Sequence, residues 1–335
     1  MIAATRDYLA ELWESWTDFW FAPSSPTTLS AIRVLAGIML LYTHLVWSKG
    51  LTEFFGENGW LPATLIAQAH TIDPDGPGPL PAATTLVWSH FDYVTSPKLM
   101  WTVHIVALVV FFLLSIGLFS RVMAVLAFLF AVSYANRITP GAYFGLDKIN
   151  CMLAMYLMLG PCGARYSVDR LWRLRKGGTE VPATWSANFA IRLIQVHMCV
   201  IYLFSGLAKA AGYPWAIGEA MWLSFDMAEY RSLDMTWMIN HPLLMAFMTH
   251  LTVWWELTYC ALVWPALTRP WVLLMAVLVH LGIVISLGMP TFGLAMLIGN
   301  LAFVSPKLVR KIFDPVARRV SLAIVGKATK AAGGE

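Results

Sequence analysis

The sequence predicts an all-α fold: a polytopic integral membrane helical bundle with about eight transmembrane helices. Two features of the composition point to this class. Of the 335 residues, 59% are hydrophobic and 13% are charged, whereas a soluble domain carries about 25% charged residues. The mean hydropathy is also positive. The third observation is that apolar runs long enough to cross a bilayer recur along the chain.

Eight apolar segments of about 17 to 25 residues are predicted as membrane spans. They cover residues 29–48, 99–118, 121–138, 144–161, 187–210, 243–264, 271–288 and 290–305. The last two are separated by Gly288, Met289 and Pro290, which predict either a hairpin turn or a kink inside one longer span. We therefore count eight spans, and the pattern also allows seven or nine.

Both ends of the chain are predicted to lie against the membrane surface. Residues 1–28 carry large apolar side chains at helical spacing with acids between them, which predicts an interfacial amphipathic helix. Residues 29–305 form the transmembrane domain. Residues 306–335 mix apolar and basic side chains, which predicts a cytoplasmic tail held against an anionic inner leaflet.

The distribution of basic residues indicates the orientation. With the N-terminus inside, most of the 23 Lys and Arg residues fall on cytoplasmic segments, as the positive-inside rule requires. An even number of spans then places both termini in the cytoplasm. Because this rule already accounts for the basic residues, no nucleic-acid partner is expected. The long segments 49–98 and 211–242 lie outside and are expected to fold over the outer mouth of the bundle.

Ionisable residues inside the predicted spans are the candidate functional residues, because each must face protein or water. Lys209 is the most informative of them, since it ends an apolar stretch long enough to cross a bilayer. An amine in an apolar pocket can exist uncharged and accept a proton. The alternative is that Lys209 extends to the lipid headgroups as an anchor.

Glu256 lies in the middle of the sixth span, where an unpaired carboxylate is costly. We expect it to be protonated, to pair with Arg33 or Lys209, or to form a hydrogen bond with His250 or His280. His280 lies on the seventh span, where a helix–helix hydrogen bond is the simpler explanation of a polar residue.

Other polar residues in the spans have structural explanations as well. Asp147, at the outer end of the fourth span, can be neutralised by Lys148 or by Arg137. Arg33, near the inner end of the first span, is expected to extend to the cytoplasmic phosphates. Asn300 on the last span suits a helix–helix hydrogen bond. The cysteines and histidines lack metal-ligand spacing, so no metal cofactor is expected.

Five short stretches carry a resemblance to a known family. They are residues 29–37, 55–62, 145–148, 202–209 and 215–218. In this order they resemble the HTTM (horizontally transferred transmembrane) domain, a bacterial relative of the membrane part of vitamin K-dependent gamma-carboxylase. The resemblance covers roughly residues 24–305, and the stretch that ends in Lys209, with Trp215 and Gly218 downstream, is its most specific part.

The resemblance implies a lyase-type enzyme of the bacterial inner membrane. In the carboxylases, a lysine in the motif of Lys209 deprotonates reduced vitamin K, and oxygen and carbon dioxide are consumed. Asp147, Glu256 and His280 would then be supporting catalytic groups. A reduced quinone of the vitamin K type is the expected cofactor, with membrane lipid and a small lipid-soluble substrate as partners.

Two departures from the carboxylases argue against carboxylation of a recruited protein. The carboxylases follow their Asp-Lys pair with a polar Asn-Asn-His stretch, which is replaced here by Met152, Leu153 and Ala154. They also carry a large lumenal domain, for which no counterpart is expected after the last span. Two other classes stay open: a transporter or permease, and a non-catalytic membrane scaffold. The sequence does not indicate the oligomeric state.

Overall fold

The computed structural model describes residues 2–62, 65, 88–137, 145–230 and 232–332. Regular structure in these residues is helical, and the β-type pairing consists of one isolated bridge between Ser24 and Thr184. Part of the predicted outer segment 49–98 and residues 138–144 lie outside the described ranges. The described part of the chain therefore confirms an all-α fold.

The α-helices of the described residues are α1 (Ile2–Phe21), α2 (Thr27–Trp47), α3 (Leu51–Phe55), α4 (Pro97–Ile116), α5 (Ser120–Arg137), α6 (Gly145–Leu159), α7 (Val168–Arg175), α8 (Trp185–Ala210), α9 (Tyr213–Ala216), α10 (Ala220–Asp226), α11 (Pro242–Leu262), α12 (Arg269–Ser286), α13 (Pro290–Asn300) and α14 (Pro306–Ala332). Short 3₁₀ helices lie at Ser48–Gly50, His90–Asp92, Thr236–Asn240 and Leu301–Phe303.

Four helical stretches of the described residues are long and apolar enough to cross a membrane: Thr27–Phe55, Pro97–Ile116, Trp185–Ala210 and Arg269–Ser286. Each of the eight predicted spans coincides with a helix, namely α2, α4, α5, α6, α8, α11, α12 or α13. The helices α5, α6, α11 and α13 are either shorter or less apolar than the four stretches that meet this measure. Gly288, with a φ of 64°, lies in a turn between α12 and α13, so the hairpin alternative is confirmed and the kink is not.

Helix packing is most extensive between α8 and α11, α2 and α4, α5 and α6, and α12 and α13. The contact of α2 with α4 depends on Gly37, because a Cβ atom built there would lie 2.7 Å from the Ser115 Cα. The start of α4 is capped: the Ser96 hydroxyl accepts from the Leu99 amide at 3.3 Å, and Pro97 occupies the first turn, where its missing N–H costs nothing.

Arg33 corrects one prediction. Its side chain is buried at 0% exposure and does not extend to the membrane surface. The guanidinium donates to the carbonyl oxygens of Leu114 at 2.8 Å and Ser115 at 2.6 Å, and to the Tyr166 carbonyl at 2.5 Å. Carbonyls at a helix C-terminus lack partners within the helix, so Arg33 caps the end of α4.

The two terminal helices are attached to the bundle by polar contacts. The Phe19 carbonyl at the end of α1 accepts from the Asn188 Nδ2 of α8 at 2.9 Å, and the Arg192 guanidinium lies 4.3 Å from the Phe19 ring centroid. At the start of α14, the Arg310 Nε contacts the Thr27 hydroxyl at 3.4 Å. Most of the large apolar side chains of α1, including Trp13 and Trp16, are exposed, whereas Phe19 and Trp20 are partly buried.

Residues 211–242, the second segment that the sequence predicts to lie outside, are folded where the structure describes them. The helices α9 and α10 and the 3₁₀ helix Thr236–Asn240 pack against α11. Phe225, Met238 and Met245 form a small apolar cluster there, separate from the main core. This segment follows α8 directly, so it lies beside the end of the helix that carries Lys209.

Candidate functional site

Lys209 and Glu256 form an ion pair between α8 and α11. The Lys209 Nζ lies 2.8 Å from the Glu256 Oε1 and 2.7 Å from the Oε2. It also donates to the hydroxyl of Ser205, one turn earlier on α8, at 2.5 Å. The side chains are 22% and 8% exposed, respectively. Of the alternatives for Glu256, pairing with Lys209 is confirmed, and the amine of Lys209 binds protein groups.

A close approach of the two helices allows this pair to form. Gly206 of α8 faces α11, and a Cβ atom built at this glycine would lie 3.0 Å from the Leu257 amide nitrogen and 3.1 Å from the Glu256 Cβ. That spacing is tighter than ordinary van der Waals contact. On the other side, the Lys209 Nζ lies 5.3 Å from the Trp215 ring centroid, within cation–π range.

The ion pair lies in the wall of a cavity of about 340 Å³. This volume falls within the usual range of small-molecule sites, about 300–1,000 Å³. Most of the wall is apolar, formed by Ile149, Ile201, Val279, Ile283, Phe292 and Met296. Lys209, Glu256 and His280 line it together. A mostly apolar cavity with a few converging polar groups is the usual form of a small-molecule site.

A chain of buried hydrogen bonds extends behind His280. The His280 Nε2 lies 2.7 Å from the Tyr202 hydroxyl, and the Asn300 Nδ2 donates to that hydroxyl at 2.9 Å. The Tyr259 hydroxyl donates to the Asn300 Oδ1 at 2.7 Å. All four side chains are buried. The chain connects α8, α11, α12 and α13, so the prediction of helix–helix hydrogen bonds for His280 and Asn300 is confirmed.

Asp147 does not line the cavity of Lys209. It lines a separate, small cavity with His44, Tyr134 and Asn150. The next residue, Lys148, lines the larger cavity, because successive side chains on a helix point in directions about 100° apart. The structure thus brings three of the four predicted site residues together and places Asp147 on another face of α6.

Some residues of the site were not singled out in the sequence. Ser205 and Tyr202 lie in the motif that ends in Lys209, one and two turns before it, and this spacing places all three on one face of α8. His197, five residues before Tyr202, lines the cavity and bonds the Tyr156 hydroxyl through its Nδ1 at 2.9 Å. The helical repeat from Lys209 is the signal that could have found Ser205 and Tyr202.

The chemistry of the cavity suits an organic ligand. No cluster of three or more His, Cys, Asp or Glu residues that could hold a metal ion is found in the described ranges. The wall offers apolar surface, an ion pair and the side chain of His280. These features fit a small organic molecule that is mostly apolar and carries a polar group.

Comparison with protein families gives a match over most of the chain. A family model described as the HTTM domain matches residues 82–307. Neither the curated proteins nor the solved structures contain a significant match to this chain. The matched range includes Lys209, Glu256 and His280, together with the helices that form the cavity.

Proposed function

This chain belongs to the HTTM domain family, and we propose that it is a membrane enzyme in which Lys209 and Glu256 remove a proton from a small lipid-soluble substrate. The observation that carries this proposal is the ion pair in the wall of a mostly apolar cavity. A purely structural ion pair would not need an adjoining space of about 340 Å³, the size of a small-molecule site.

The two groups act as one acid–base unit. In surroundings of low polarity, a Lys–Glu pair can pass a proton from the ammonium to the carboxylate without a change in net charge. Transfer from the Lys209 ammonium to the Glu256 carboxylate leaves a neutral amine. That amine takes the proton of a substrate hydroxyl, so one O–H bond breaks and one N–H bond forms. The new ammonium then lies beside the substrate anion and stabilises it.

A reduced quinone of the vitamin K type is the cofactor that this site would hold. Apolar residues such as Phe292 and Ile283 would contact its ring, and Lys209 would receive the proton of one hydroxyl. When bound, such a quinol supplies electrons for reaction with oxygen. A lyase reaction that also consumes carbon dioxide is the proposed class, by resemblance to the carboxylases. Asp147 has no part in the proposed site, because it lines a different cavity.

The test is turnover of a reduced quinone in nanodiscs, measured as oxygen uptake and quinol oxidation. We expect Lys209→Gln and Glu256→Gln each to lose activity about 100-fold or more, since positioned acid–base groups contribute about 10²–10⁴-fold. Lys98→Gln, which removes an exposed lysine at the start of α4, is the matched control and should retain activity.

Full activity of a folded Lys209→Gln protein would refute the proposed mechanism. A double mutant that lacks both charges but keeps the biological effect would favour a scaffold, and substrate-dependent flux in proteoliposomes would favour a transporter. Size-exclusion profiles of every variant separate loss of chemistry from loss of fold.

We also propose that the eight helices cross the bacterial inner membrane with both termini in the cytoplasm. The coincidence of each predicted span with a helix supports this, as does the positive-inside pattern. Labelling of single cysteines introduced at Gly177 and Gly212 with a membrane-impermeant reagent tests it. Modification of position 177 from outside intact cells would overturn the orientation.

A further inference from the structure

The turn between α4 and α5 holds an aromatic residue in an unfavourable backbone conformation. Phe119 has a φ of 51°, in the left-handed region that is sterically costly for a bulky side chain. Asp169, in the first turn of α7, fixes this conformation. Its carboxylate accepts from the Phe119 amide at 2.8 Å and from the Ser120 amide at 2.7 Å. The position of the Phe119 ring is therefore set by α7.

This turn places two aromatic rings side by side on the surface. The ring centroids of Phe119 and Trp172, which belongs to α7, lie 6.1 Å apart in an edge-to-face arrangement. The two residues are 57% and 47% exposed. Burial inside the protein therefore does not account for the strained backbone, and strain that a fold maintains is a reason to look for a function.

The aromatic pair lies at the end of a membrane span. The helix α4 is long and apolar enough to cross a bilayer, and it ends at Ile116, three residues before Phe119. Aromatic side chains are enriched at this depth, where the hydrocarbon core meets the lipid headgroups. The two exposed rings are therefore expected to contact the membrane surface.

Exposed basic side chains accompany the rings. Arg175 and Lys176 follow Trp172 by three and four residues, which places them on the same face of α7. Both are exposed, and so is Arg121, two residues after Phe119. Cations beside aromatic rings at this depth suit the phosphate groups of lipids.

The acidic residues of α7 and of the segment that follows it are bound to other groups. The Asp169 carboxylate accepts from the two amides of the turn. The Glu180 carboxylate accepts from the Arg170 Nε at 3.0 Å. The exposed charge that α7 presents beside Trp172 is therefore positive, and it is complementary to an anionic lipid surface.

We call this patch the α7 surface; it consists of Phe119, Arg121, Trp172, Arg175 and Lys176. We infer that the α7 surface binds the headgroups of anionic phospholipids, with its rings at the level of the headgroups and its cations against phosphate. This inference goes beyond the proposed function and does not depend on it. With the proposed orientation, the lipids belong to the inner leaflet.

The test is ¹⁹F NMR of the full-length protein labelled with 5-fluorotryptophan, in nanodiscs of phosphatidylcholine with a minor share of phosphatidylglycerol. The Trp172 resonance is assigned by its loss in Trp172→Phe. A trace of either lipid carries a nitroxide near the head of one acyl chain. We expect labelled phosphatidylglycerol to relax the Trp172 resonance at least about fivefold more strongly than labelled phosphatidylcholine, the factor that one surface cation supplies.

Two charge variants show whether the preference is local. Arg175→Gln/Lys176→Gln should lose most of it. Lys49→Gln/Lys98→Gln, which removes two exposed lysines at the opposite end of the bundle, should retain it. Equal relaxation by the two lipids in the wild-type protein would overturn the inference, and so would an unchanged preference in Arg175→Gln/Lys176→Gln. Relaxation by neither lipid would mean that the surface faces water or another protein, and would overturn it as well.

Two substitutions at Phe119 test the argument from the backbone. Both Phe119→Gly and Phe119→Ala remove the ring, but only glycine adopts a positive φ without strain. We expect Phe119→Gly to unfold at a higher temperature than Phe119→Ala in detergent, and no lower than the wild-type protein. A clear fall in Phe119→Gly would mean that packing inside the protein holds the ring, and would overturn the inference.

Discussion

The ion pair between Lys209 and Glu256 predicts strong energetic coupling between the two residues. The carboxylate is 8% exposed and receives both of its short contacts from the amine. Lys209→Gln therefore leaves a buried acid without its cation, and we expect a loss of about 3 kcal/mol, at the lower end of the cost of breaking a buried pair. Glu256→Gln should cost about 2 kcal/mol, because the ammonium keeps Ser205 and is 22% exposed.

The loss of unfolding free energy in the double mutant should be far smaller than the sum of the losses in the two single mutants. Two glutamines carry no charge and can hydrogen-bond each other, so we expect the pair to cost about 2 kcal/mol and the coupling energy to be about 3 kcal/mol. The measurement is reversible unfolding of the purified protein in mixed detergent, followed by tryptophan fluorescence. Arg170 and Glu180, an ion pair with side chains 29% and 40% exposed, provide the matched control and should couple by less than about 1 kcal/mol. Additive effects at Lys209 and Glu256 would refute the reasoning.

Two further predictions concern the packing of the bundle. Arg33→Met should destabilise the protein by about 3 kcal/mol, because the Leu114 and Ser115 carbonyls at the end of α4 lose their donor. Arg121→Met, at an exposed arginine, should change stability by less than about 0.5 kcal/mol in the same unfolding assay. Gly37→Ala should cost about 1–3 kcal/mol, since its Cβ would lie 2.7 Å from the Ser115 Cα. Gly282→Ala, with nothing within 4 Å of the new atom, should be neutral or stabilising; equal effects of the two alanines would contradict the packing argument.

The helices could be predicted from the sequence because each apolar run is bounded by polar or helix-breaking residues. Pro97 and Pro290 begin α4 and α13, and Gly117 follows the end of α4. The family could be recognised because its motifs occur in order along the chain. Lys209 could be identified from the sequence because a charged side chain in an apolar stretch is unfavourable in free energy unless it has a partner.

The pairing of side chains was harder to predict, because it depends on how the helices are rotated against each other. Glu256 had several possible partners, and the contact between α8 and α11 selects Lys209. Asp147 belongs to a motif that suggested a place in the site. On α6, however, its side chain points about 100° away from that of Lys148, which lines the cavity. Arg33 was expected at the membrane surface because sequence distance does not show that the end of α4 lies beside it.

The glycine at position 206 affects how this site can differ among related proteins. The residue contacts no ligand and carries no charge, but the space left by its missing side chain brings the Lys209 amine within reach of the Glu256 carboxylate. A bulkier residue there would push the two backbones apart and lengthen the ion pair while every chemical group stayed in place. Relatives with identical charged residues can therefore differ in the length and strength of this ion pair through this single position.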